Sequence, residues 1–229
     1  MRIAAVIAAA GEGIRLGRGS KALVALNGRT ILSRAIDLFL GLEEVTRIVV
    51  VGPPGRMEPA LAEIAGFHAG RRLDACSGGD TRQRSVRAGL LRLEGVDFVL
   101  VHDAARPLAS ATLCRRVLKA AIETGAAFPG LPSRDAVKRV EGMRLVESLE
   151  RAGIVLAQTP QAFRYELLLR AHADAAERGL NGDDDAQLVA ATGHQVAVVE
   201  GEAANLKLTT PEDLELLEGL LRVKETVVG

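Results

Sequence analysis

The chain has 229 residues, 48% of them hydrophobic and 25% charged, which is enough to bury a full core as one α/β domain or at most two small domains. Lys and Arg together number 29, and so do Asp and Glu, so the composition excludes the basic excess typical of nucleic-acid wrapping and an acidic tail. We expect a single domain in which any recognition of phosphate is local.

The start of the chain does not indicate export, and its cysteines do not indicate a metal scaffold. Met1 leads directly into the first apolar run without the segments of a signal peptide, and no apolar run is long enough to span a bilayer. Cys76 and Cys114 lack a metal-ligand or redox spacing, and the four His residues form no H-x-x-x-H pair. The sequence therefore predicts a cytoplasmic protein with free thiols.

The first 21 residues predict a strand followed by an anion-binding loop. The unbroken run of small apolar residues at 3–8 is typical of a strand that is covered on both faces. In residues 11–21, glycines alternate with the cations Arg15, Arg18 and Lys21. Glycine permits close backbone approach, so successive N–H groups can converge on a phosphate whose charge these side chains neutralise.

The glycine spacing in this loop fits neither of the familiar nucleotide motifs. Gly11, Gly13 and Gly17 give G-x-G-x-x-x-G, which differs from the dinucleotide fingerprint and from the P-loop. Taken alone, the stretch is either a phosphate-binding loop or a mobile surface loop with solvated cations.

Strands and helices then alternate along the chain. In order, we predict a short extended piece at 22–26 with a tight Asn27-Gly28 turn, helix 31–40, strand 47–51, helix 58–64, strand 73–76, helix 81–93, strand 97–102 and a helix from Ser110 to about 123. This alternation predicts a doubly wound α/β fold, in which a mostly parallel, Rossmann-like sheet has helices on both faces. Ligands of such sheets bind beyond the carboxyl ends of the strands, where residues 11–21, 77–80 and 103–106 would meet.

The second half of the chain predicts a protruding β-arm and a return to the core. Residues 135–140 and 143–149 are partly alternating strands around a Glu141-Gly142 turn, and they are too polar for the central sheet. We therefore predict an arm at about 133–153, inserted into a single domain that spans residues 1–229. Strand 154–158, helix 165–177, buried strand 195–199 and a helix that starts around Pro211 follow.

Several polar residues near the predicted strand ends are candidates for binding. Asp103 follows a buried strand and could hold Mg²⁺, which takes one or two carboxylates; alternatively it pairs with Arg106 or caps a helix. Gly78-Gly79-Asp80, with Arg82 and Ser85 behind, could contact a nucleobase or ribose, or could form a plain turn and N-cap. Lys207 lies between apolar neighbours, at a ligand-binding edge or reaching into solvent.

Two further polar features have structural interpretations. His102 ends a predicted strand, where a histidine is commonly a hydrogen-bonded structural residue, and we assign it no catalytic role. The acidic residues 183–185 could bind a cation, but they lack the spacing of an EF-hand, which favours a solvated turn that starts a helix at Ala186.

Read together, five ordered segments resemble the 2-C-methyl-D-erythritol 4-phosphate cytidylyltransferase family. They are A-A-G-x-G-x-R at 9–15 with Lys21 downstream, G-G-D at 78–80, H-D-A-A-R-P at 102–107, Q-T-P-Q at 158–161 and N-L-K-L-T at 205–209. The resemblance covers nearly the whole chain, from Ile3 to about Leu221.

The resemblance implies transfer of CMP from CTP to 2-C-methyl-D-erythritol 4-phosphate with Mg²⁺, releasing pyrophosphate, in the non-mevalonate route to isoprenoids. The implied catalytic cations are Arg15, Lys21 and Lys207, and Asp103 would hold the metal. The implied CTP-binding residues are Ala9, Ala10, Gly11, Gly13, Gly79, Asp80 and Ser85, and the implied acceptor-binding residues are Arg106, Arg151 and Thr159. The arm would cross to the other subunit of a homodimer so that Arg151 serves the partner's site; alternatively, it forms a lid on its own chain.

The sequence departs from the family pattern at a few positions and leaves other functions open. Ala136 and Asp183 stand where the family has threonines, which leaves room for another polyol phosphate acceptor such as ribitol 5-phosphate. A regulatory nucleotide-binding protein without catalysis is a further alternative, although the retained cations argue against it. The glycine spacing disfavours an oxidoreductase.

Overall fold

The computed structural model describes residues 1–11, 21–53 and 72–228. The strands, in chain order, are β1 (Ile3–Ala8), β2 (Ala25–Leu26), β3 (Arg29–Thr30), β4 (Val45–Gly52), β5 (Arg72–Ser77), β6 (Phe98–Asp103), β7 (Ala126–Pro132), β8 (Val137–Glu141), β9 (Arg144–Leu149), β10 (Val155–Ala157), β11 (Gln161–Arg164) and β12 (Ala197–Glu200). The α-helices are α1 (Ile31–Leu40), α2 (Arg82–Leu90), α3 (Ala111–Thr124), α4 (Tyr165–Glu177), α5 (Asp185–Ala191) and α6 (Pro211–Val228). None of these helices combines the length and the apolar character that a membrane span requires.

A mixed sheet of eight strands forms the centre of the described chain, in the order β10-β7-β11-β6-β1-β4-β5, with β12 also paired to β7. Strands β6, β1, β4 and β5 are parallel to one another, as are β7 and β12, whereas β11 and β10 run antiparallel to their partners. The predicted mostly parallel α/β sheet is therefore confirmed, with the antiparallel strands confined to the half that follows β6.

Both faces of the sheet are covered, which explains the unbroken apolar run in β1. One core includes Phe39 of α1 and Leu113 of α3, and the other includes Leu90 of α2 and Leu168 of α4. A Cβ on Gly89 would lie 2.7 Å from Val51 and Val6, so glycine allows α2 to approach the sheet closely.

The register of the parallel strands brings their carboxyl ends to one edge. Ala8 of β1 pairs with Asp103 of β6 on one side and with Val51 of β4 on the other, and Val51 pairs with Cys76 of β5. We call the residues that follow these ends the rim: 8–11, 52–53, 78–80 and 103–106. The structure thus brings the predicted turn at 77–80 and the charged segment at 103–106 to the same edge.

The β-arm is also confirmed as a two-stranded antiparallel hairpin, β8 with β9, outside the central sheet. Gly142 turns it with a φ of +57°. Nearly all residues of the two strands are exposed. The Asn27-Gly28 turn between β2 and β3 likewise has the positive φ values that the sequence predicts, 48° and 73°.

Some element predictions differ from the structure. Helix α2 ends at Leu90 instead of residue 93, because Leu91 already caps it. Two strands were not predicted: β7, whose Pro129 and Gly130 weaken the strand signal, and β11, which passes into α4 without a turn. The prediction that 195–199 is a buried strand is wrong, because β12 pairs with β7 alone and alternates between half-buried and exposed residues. The predicted helix at 58–64 lies outside the described residues.

Candidate active site

Asp103 lies at the centre of the rim, and two cations bind its two carboxylate oxygens separately. Arg82 Nε donates to Oδ1 over 2.8 Å, and Lys207 Nζ donates to Oδ2 over 2.6 Å. The backbone N–H of Asp103 donates to Thr159 Oγ1 over 3.0 Å, and the residue is only 6% exposed. Asp103 is thus ion-paired, as one of the sequence interpretations holds, but its partners are Arg82 and Lys207 instead of Arg106.

The surroundings of Asp103 keep its carboxylate charged. Burial raises the pKa of the carboxyl, but the nearby charges and hydrogen bonds of Arg82 and Lys207 outweigh this and hold the pKa well below its usual range. A single ionised carboxylate suits Mg²⁺, which takes its remaining ligands from water and substrate phosphates. Within residues 1–11, 21–53 and 72–228, no three His, Cys, Asp or Glu side chains form a metal site by themselves. A metal at Asp103 would therefore take most of its ligands from water and substrate.

Lys21 approaches the same place from the other end of the chain. The segment that carries Lys207 is tied to the rim because the Leu208 N–H donates to the Ala105 carbonyl over 2.8 Å. Lys21 Nζ in turn donates to the Leu208 carbonyl over 3.4 Å. The structure therefore brings Lys21, Asp103 and Lys207 together. The predicted residues Gly13 and Arg15 lie outside the described residues.

Two residues of the predicted acceptor side also adjoin Asp103. Arg106 donates to the carbonyls of Asn205, over 2.8 Å, and Ala157, over 3.2 Å. Its Nε is buried and has no hydrogen-bond partner in the described part of the chain. Thr159 accepts the Asp103 N–H and lies 3.2 Å from His102 Nδ1. Arg106 and Thr159 thus lie along one side of the charged cluster, by which we mean Lys21, Asp103 and Lys207.

His102 is held in a structural position behind Arg106 and Thr159. Its side chain is fully buried, with Nε2 3.2 Å from the Arg106 carbonyl and Nδ1 facing Thr159. Burial lowers the pKa of His102 to about 4, so the ring is neutral at physiological pH. A neutral, enclosed imidazole with both nitrogens in polar contacts supports the interpretation of His102 as a hydrogen-bonded structural residue.

The predicted nucleotide-binding residues form a surface of small groups beside the charged cluster. The hydroxyl of Ser85 accepts the Gly79 N–H over 3.1 Å and donates to the Thr81 carbonyl over 2.9 Å. A Cβ on Gly78 would lie 2.6 Å from the Ser85 Oγ and 2.8 Å from the Ala10 Cβ. Glycine is therefore required at 78 for the ends of β1 and β5 and the start of α2 to meet.

The remaining predicted nucleotide-binding residues differ in exposure. Ala9 is buried, Ala10 is half-buried, and Gly11 and Asp80 are exposed. Asp80, just before α2, forms an ion pair of 2.6 Å with Arg84 in the first turn of that helix, and both side chains are largely exposed. The carboxylate of Asp80 is therefore accessible from the rim.

Arg151 is not joined to this cluster. It is exposed at the base of the β-arm, where its guanidinium donates to the Arg134 carbonyl over 2.9 Å. No hydrogen bond or ion pair within the described ranges connects Arg151 to Asp103 or to either lysine of the cluster. The two residues that depart from the family pattern, Ala136 and Asp183, are exposed as well.

A buried charge network that the sequence did not predict lies behind the site. Arg82 reaches past Asp103 to Asp185, with 2.8 Å between its NH1 and Oδ2, and Asp185 Oδ1 lies 2.9 Å from His172 Nε2. Asp185 and His172 are fully buried. Asp184 does cap a helix, as expected for this acidic turn, but the prediction that the turn is solvated is wrong for Asp185. No local pattern in the sequence joins Arg82, His172 and Asp185, so no signal there marks the network.

The sequence matches a known family over almost its full length. The model of "IspD: 2-C-methyl-D-erythritol 4-phosphate cytidylyltransferase" matches residues 3–223. The protein of that name from Thermus thermophilus is 45% identical over 97% of this chain and 99% of its own length. The corresponding protein from Geobacillus kaustophilus is 37% identical over 96% of this chain and 97% of its own.

Solved structures agree with this match. The crystal structure of 2-C-methyl-D-erythritol 4-phosphate cytidylyltransferase from Thermus thermophilus superposes with a TM-score of 0.81 at 40% identity, covering 97% of this chain and 100% of that one. The 4-diphosphocytidyl-2C-methyl-D-erythritol synthase of Anaerococcus prevotii superposes with a TM-score of 0.84 at 29% identity, covering 96% and 98%.

Proposed function

Since the chain belongs to the 2-C-methyl-D-erythritol 4-phosphate cytidylyltransferase family, we propose that Lys21, Asp103 and Lys207 carry its reaction at the rim. The enzyme transfers CMP from CTP to 2-C-methyl-D-erythritol 4-phosphate in the non-mevalonate route to isoprenoids. The observation that supports this site is the meeting of two lysines and one ionised carboxylate, from distant parts of the sequence, at the carboxyl ends of parallel strands.

The reaction needs charge neutralisation more than it needs a base. A phosphate oxygen of the acceptor attacks the α-phosphorus of CTP, the bond from that phosphorus to the β-phosphate oxygen breaks, and pyrophosphate leaves. A phosphate monoester has a second pKa of about 6, so the nucleophile is largely ionised at neutral pH. The neutral, enclosed His102 is consistent with a site that uses no general base.

Lys21 and Lys207, with Arg15, stabilise the charge that develops at the α-phosphorus and on the leaving pyrophosphate. Such preorganised donors act mainly on the transition state, and the loss of one lowers the rate by about 10²- to 10³-fold. Arg106 and Thr159, which adjoin Asp103, lie on the acceptor side of the same cluster.

Asp103 would hold a divalent cation such as Mg²⁺, which when bound neutralises phosphate oxygens of CTP. The ionised carboxylate fits this role, and one of its oxygens is held by a movable partner. Lys207, whose side chain is 43% exposed, binds Oδ2 and can swing from the carboxylate to a substrate phosphate. Arg82 stays on Oδ1.

The small residues beside this cluster receive the cytidine. Short side chains and backbone groups allow a flat base to approach closely, and Gly79 and Ser85 already form a fixed, hydrogen-bonded corner. The residues that we assign to CTP are Ala9, Ala10, Gly11, Gly13, Gly79, Asp80 and Ser85.

The β-arm forms the interface of a homodimer. We treat residues 133–153 as an arm inserted into one nucleotidyltransferase domain, residues 1–229. The hairpin exposes the apolar side chains of Val140, Met143, Leu145 and Val146. A group of exposed apolar side chains is typical of a protein–protein interface and is unfavourable in a lid that faces solvent. Arg151 lies at the base of this arm, away from the cluster of its own chain, and so would serve the site of the other subunit.

A direct assay tests the acceptor and the reaction together. Purified protein is supplied with CTP, Mg²⁺ and either 2-C-methyl-D-erythritol 4-phosphate or ribitol 5-phosphate, and the release of pyrophosphate is followed. We expect a higher kcat/KM with the methylerythritol phosphate. Equal or faster turnover of ribitol 5-phosphate would reverse the acceptor assignment, and CTP binding in calorimetry without pyrophosphate from either acceptor would instead indicate a regulatory protein.

A further inference from the structure

Among the described residues, Arg82 links the carboxylate of Asp103 to the buried acid Asp185 at the start of α5, which packs beside α4. Its guanidinium bridges two acids, with Nε on Asp103 Oδ1 and NH1 on Asp185 Oδ2, both over 2.8 Å. These acids are 82 positions apart in sequence (185 − 103), so the bridge fixes α5 relative to the end of β6.

The bridge is anchored on its inner side. Asp185 is fully buried, and its second oxygen lies 2.9 Å from Nε2 of His172, which is also fully buried in α4. Gln161 reinforces the start of α5, where its Oε1 accepts the Ala186 N–H over 2.9 Å. Asp185 therefore holds the guanidinium from a position that cannot shift without opening the core.

The two oxygens of Asp103 consequently differ. Oδ1 is bound by Arg82, whose side chain is 24% exposed and tied at both ends, whereas Oδ2 is bound by Lys207, whose side chain is 43% exposed and reaches the carboxylate from the rim. A planar guanidinium can hold two carboxylates in fixed directions, which the single nitrogen of a lysine cannot. One oxygen is thus fixed in place, and the other remains exchangeable.

We propose that Arg82, braced by Asp185 and His172, is a positioning residue that orients Asp103 so that Oδ2 alone is presented to the incoming metal–nucleotide complex. The inference rests on the proposed function of Asp103 and goes beyond it, because it assigns Arg82 a role that acts through Asp103. Groups behind a ligating carboxylate tune metal binding, and their substitution lowers metal affinity or activity by about 10- to 100-fold.

The test compares Arg82→Lys and Asp185→Asn with Arg87→Lys, an exposed arginine on the same helix. Three quantities are measured: the Mg²⁺ concentration that gives half-maximal pyrophosphate release, the binding of Mn²⁺ to the protein with CTP but without acceptor by electron paramagnetic resonance, and the thermal unfolding midpoint. We expect Arg82→Lys to need about 10- to 100-fold more Mg²⁺ and to bind Mn²⁺ with CTP correspondingly more weakly. The rate should largely recover at saturating metal, which a merely structural defect would not allow.

Asp185→Asn should also raise the Mg²⁺ requirement and weaken Mn²⁺ binding, but by a smaller factor than Arg82→Lys. The asparagine keeps a hydrogen bond to Arg82 but removes the negative charge that opposes it. Arg87→Lys should match the wild type. If Arg82→Lys unfolds, the Mn²⁺ titration of Asp185→Asn decides the question.

Wild-type metal dependence in a folded Arg82→Lys or Asp185→Asn protein would overturn the inference, as would a loss of rate that is equal at all metal concentrations. A wild-type enzyme that releases pyrophosphate without any requirement for metal would instead overturn the role proposed for Asp103, and the inference with it.

Discussion

Lys207 and Asp103 form an ion pair of 2.6 Å across 104 positions of sequence. The pair joins the segment after β12 to the end of β6, and Lys21 donates to the carbonyl of Leu208, the residue that follows Lys207. These contacts bring the charged groups of the proposed site, two lysines and one carboxylate, to one edge of the sheet. The first two predictions follow from this arrangement.

Replacing Lys207 with Ala should lower kcat by about 10²- to 10³-fold, because the amino group stabilises charge that appears only in the transition state. The fold should be retained, since Arg82 still pairs with the Asp103 carboxylate when the lysine is removed. Steady-state release of pyrophosphate and thermal unfolding measure the two effects. Lys119→Ala, which removes an exposed lysine on α3, is the matched control, and equal activity in the two variants would contradict the role of Lys207.

Replacing Lys21 with Ala should reduce turnover far more than it reduces affinity for CTP. A cation that acts on the leaving phosphates is worth more in the transition state than in the ground-state complex, so the loss falls on kcat. The comparison needs kcat from pyrophosphate release and the Kd of CTP from calorimetry. A variant that loses affinity and turnover by the same factor would show that Lys21 only binds the nucleotide.

The parts of the site that the sequence predicts are those that interrupt the periodic pattern. Predicted strands end at Gly78-Gly79 and at Asp103, and parallel strands place such ends at one edge, so the meeting of these two segments is predictable from the sequence. Helix starts are equally local: Thr81 and Ser110 cap α2 and α3 with their own side chains. Lys207 and Lys21 were placed by resemblance, and the structure brings both to this edge.

The network behind the rim could not be predicted, because its members share no local pattern. Arg82, His172 and Asp185 lie on three different helices, and each has an ordinary neighbourhood in sequence. Only the packing of α2, α4 and α5 on one face of the sheet makes them meet. The same applies to β11, a strand of four residues whose pairing with β6 depends on tertiary contacts rather than on periodicity.

Stability should fall between about pH 6.5 and pH 4 because His102 is buried as a neutral ring. Burial lowers the pKa of His102 to about 4 in the folded protein, so in this window the unfolded chain binds a proton that the folded chain does not. The free energy of unfolding is therefore largest above the unfolded pKa and decreases as pH falls, by up to about 3 kcal/mol in total.

Urea unfolding at several pH values between about 4.5 and 7 measures this dependence. The variant His102→Asn lacks the titrating ring, so its free energy of unfolding should change less with pH than that of the wild type, whatever its absolute stability. Identical pH dependences for the two proteins would mean that His102 titrates normally in the fold.

The arm should hold two subunits together through its exposed apolar side chains. Val140→Glu places a charge in the hairpin and should convert the dimer to a monomer in light scattering, because an unpaired charge is disfavoured in a closed interface. Val223→Glu makes the same change at a comparably exposed position of α6 and should leave the dimer intact; the two side chains are 59% and 62% exposed. A wild-type protein that is monomeric at micromolar concentration would assign the arm to its own chain as a lid.

Mixing two inactive variants decides which subunit Arg151 serves. If Arg151 acts in the partner's site, a heterodimer of an Arg151→Ala chain with a Lys21→Ala chain contains one site with both residues intact and one with neither. Random pairing makes half of the dimers mixed, so the mixture should recover about a quarter of wild-type activity per site. If Arg151 acts on its own chain, every site lacks one residue and no activity returns. The measurement is pyrophosphate release after co-refolding of differently tagged chains, and recovery of dimers that carry both tags verifies that the chains have exchanged.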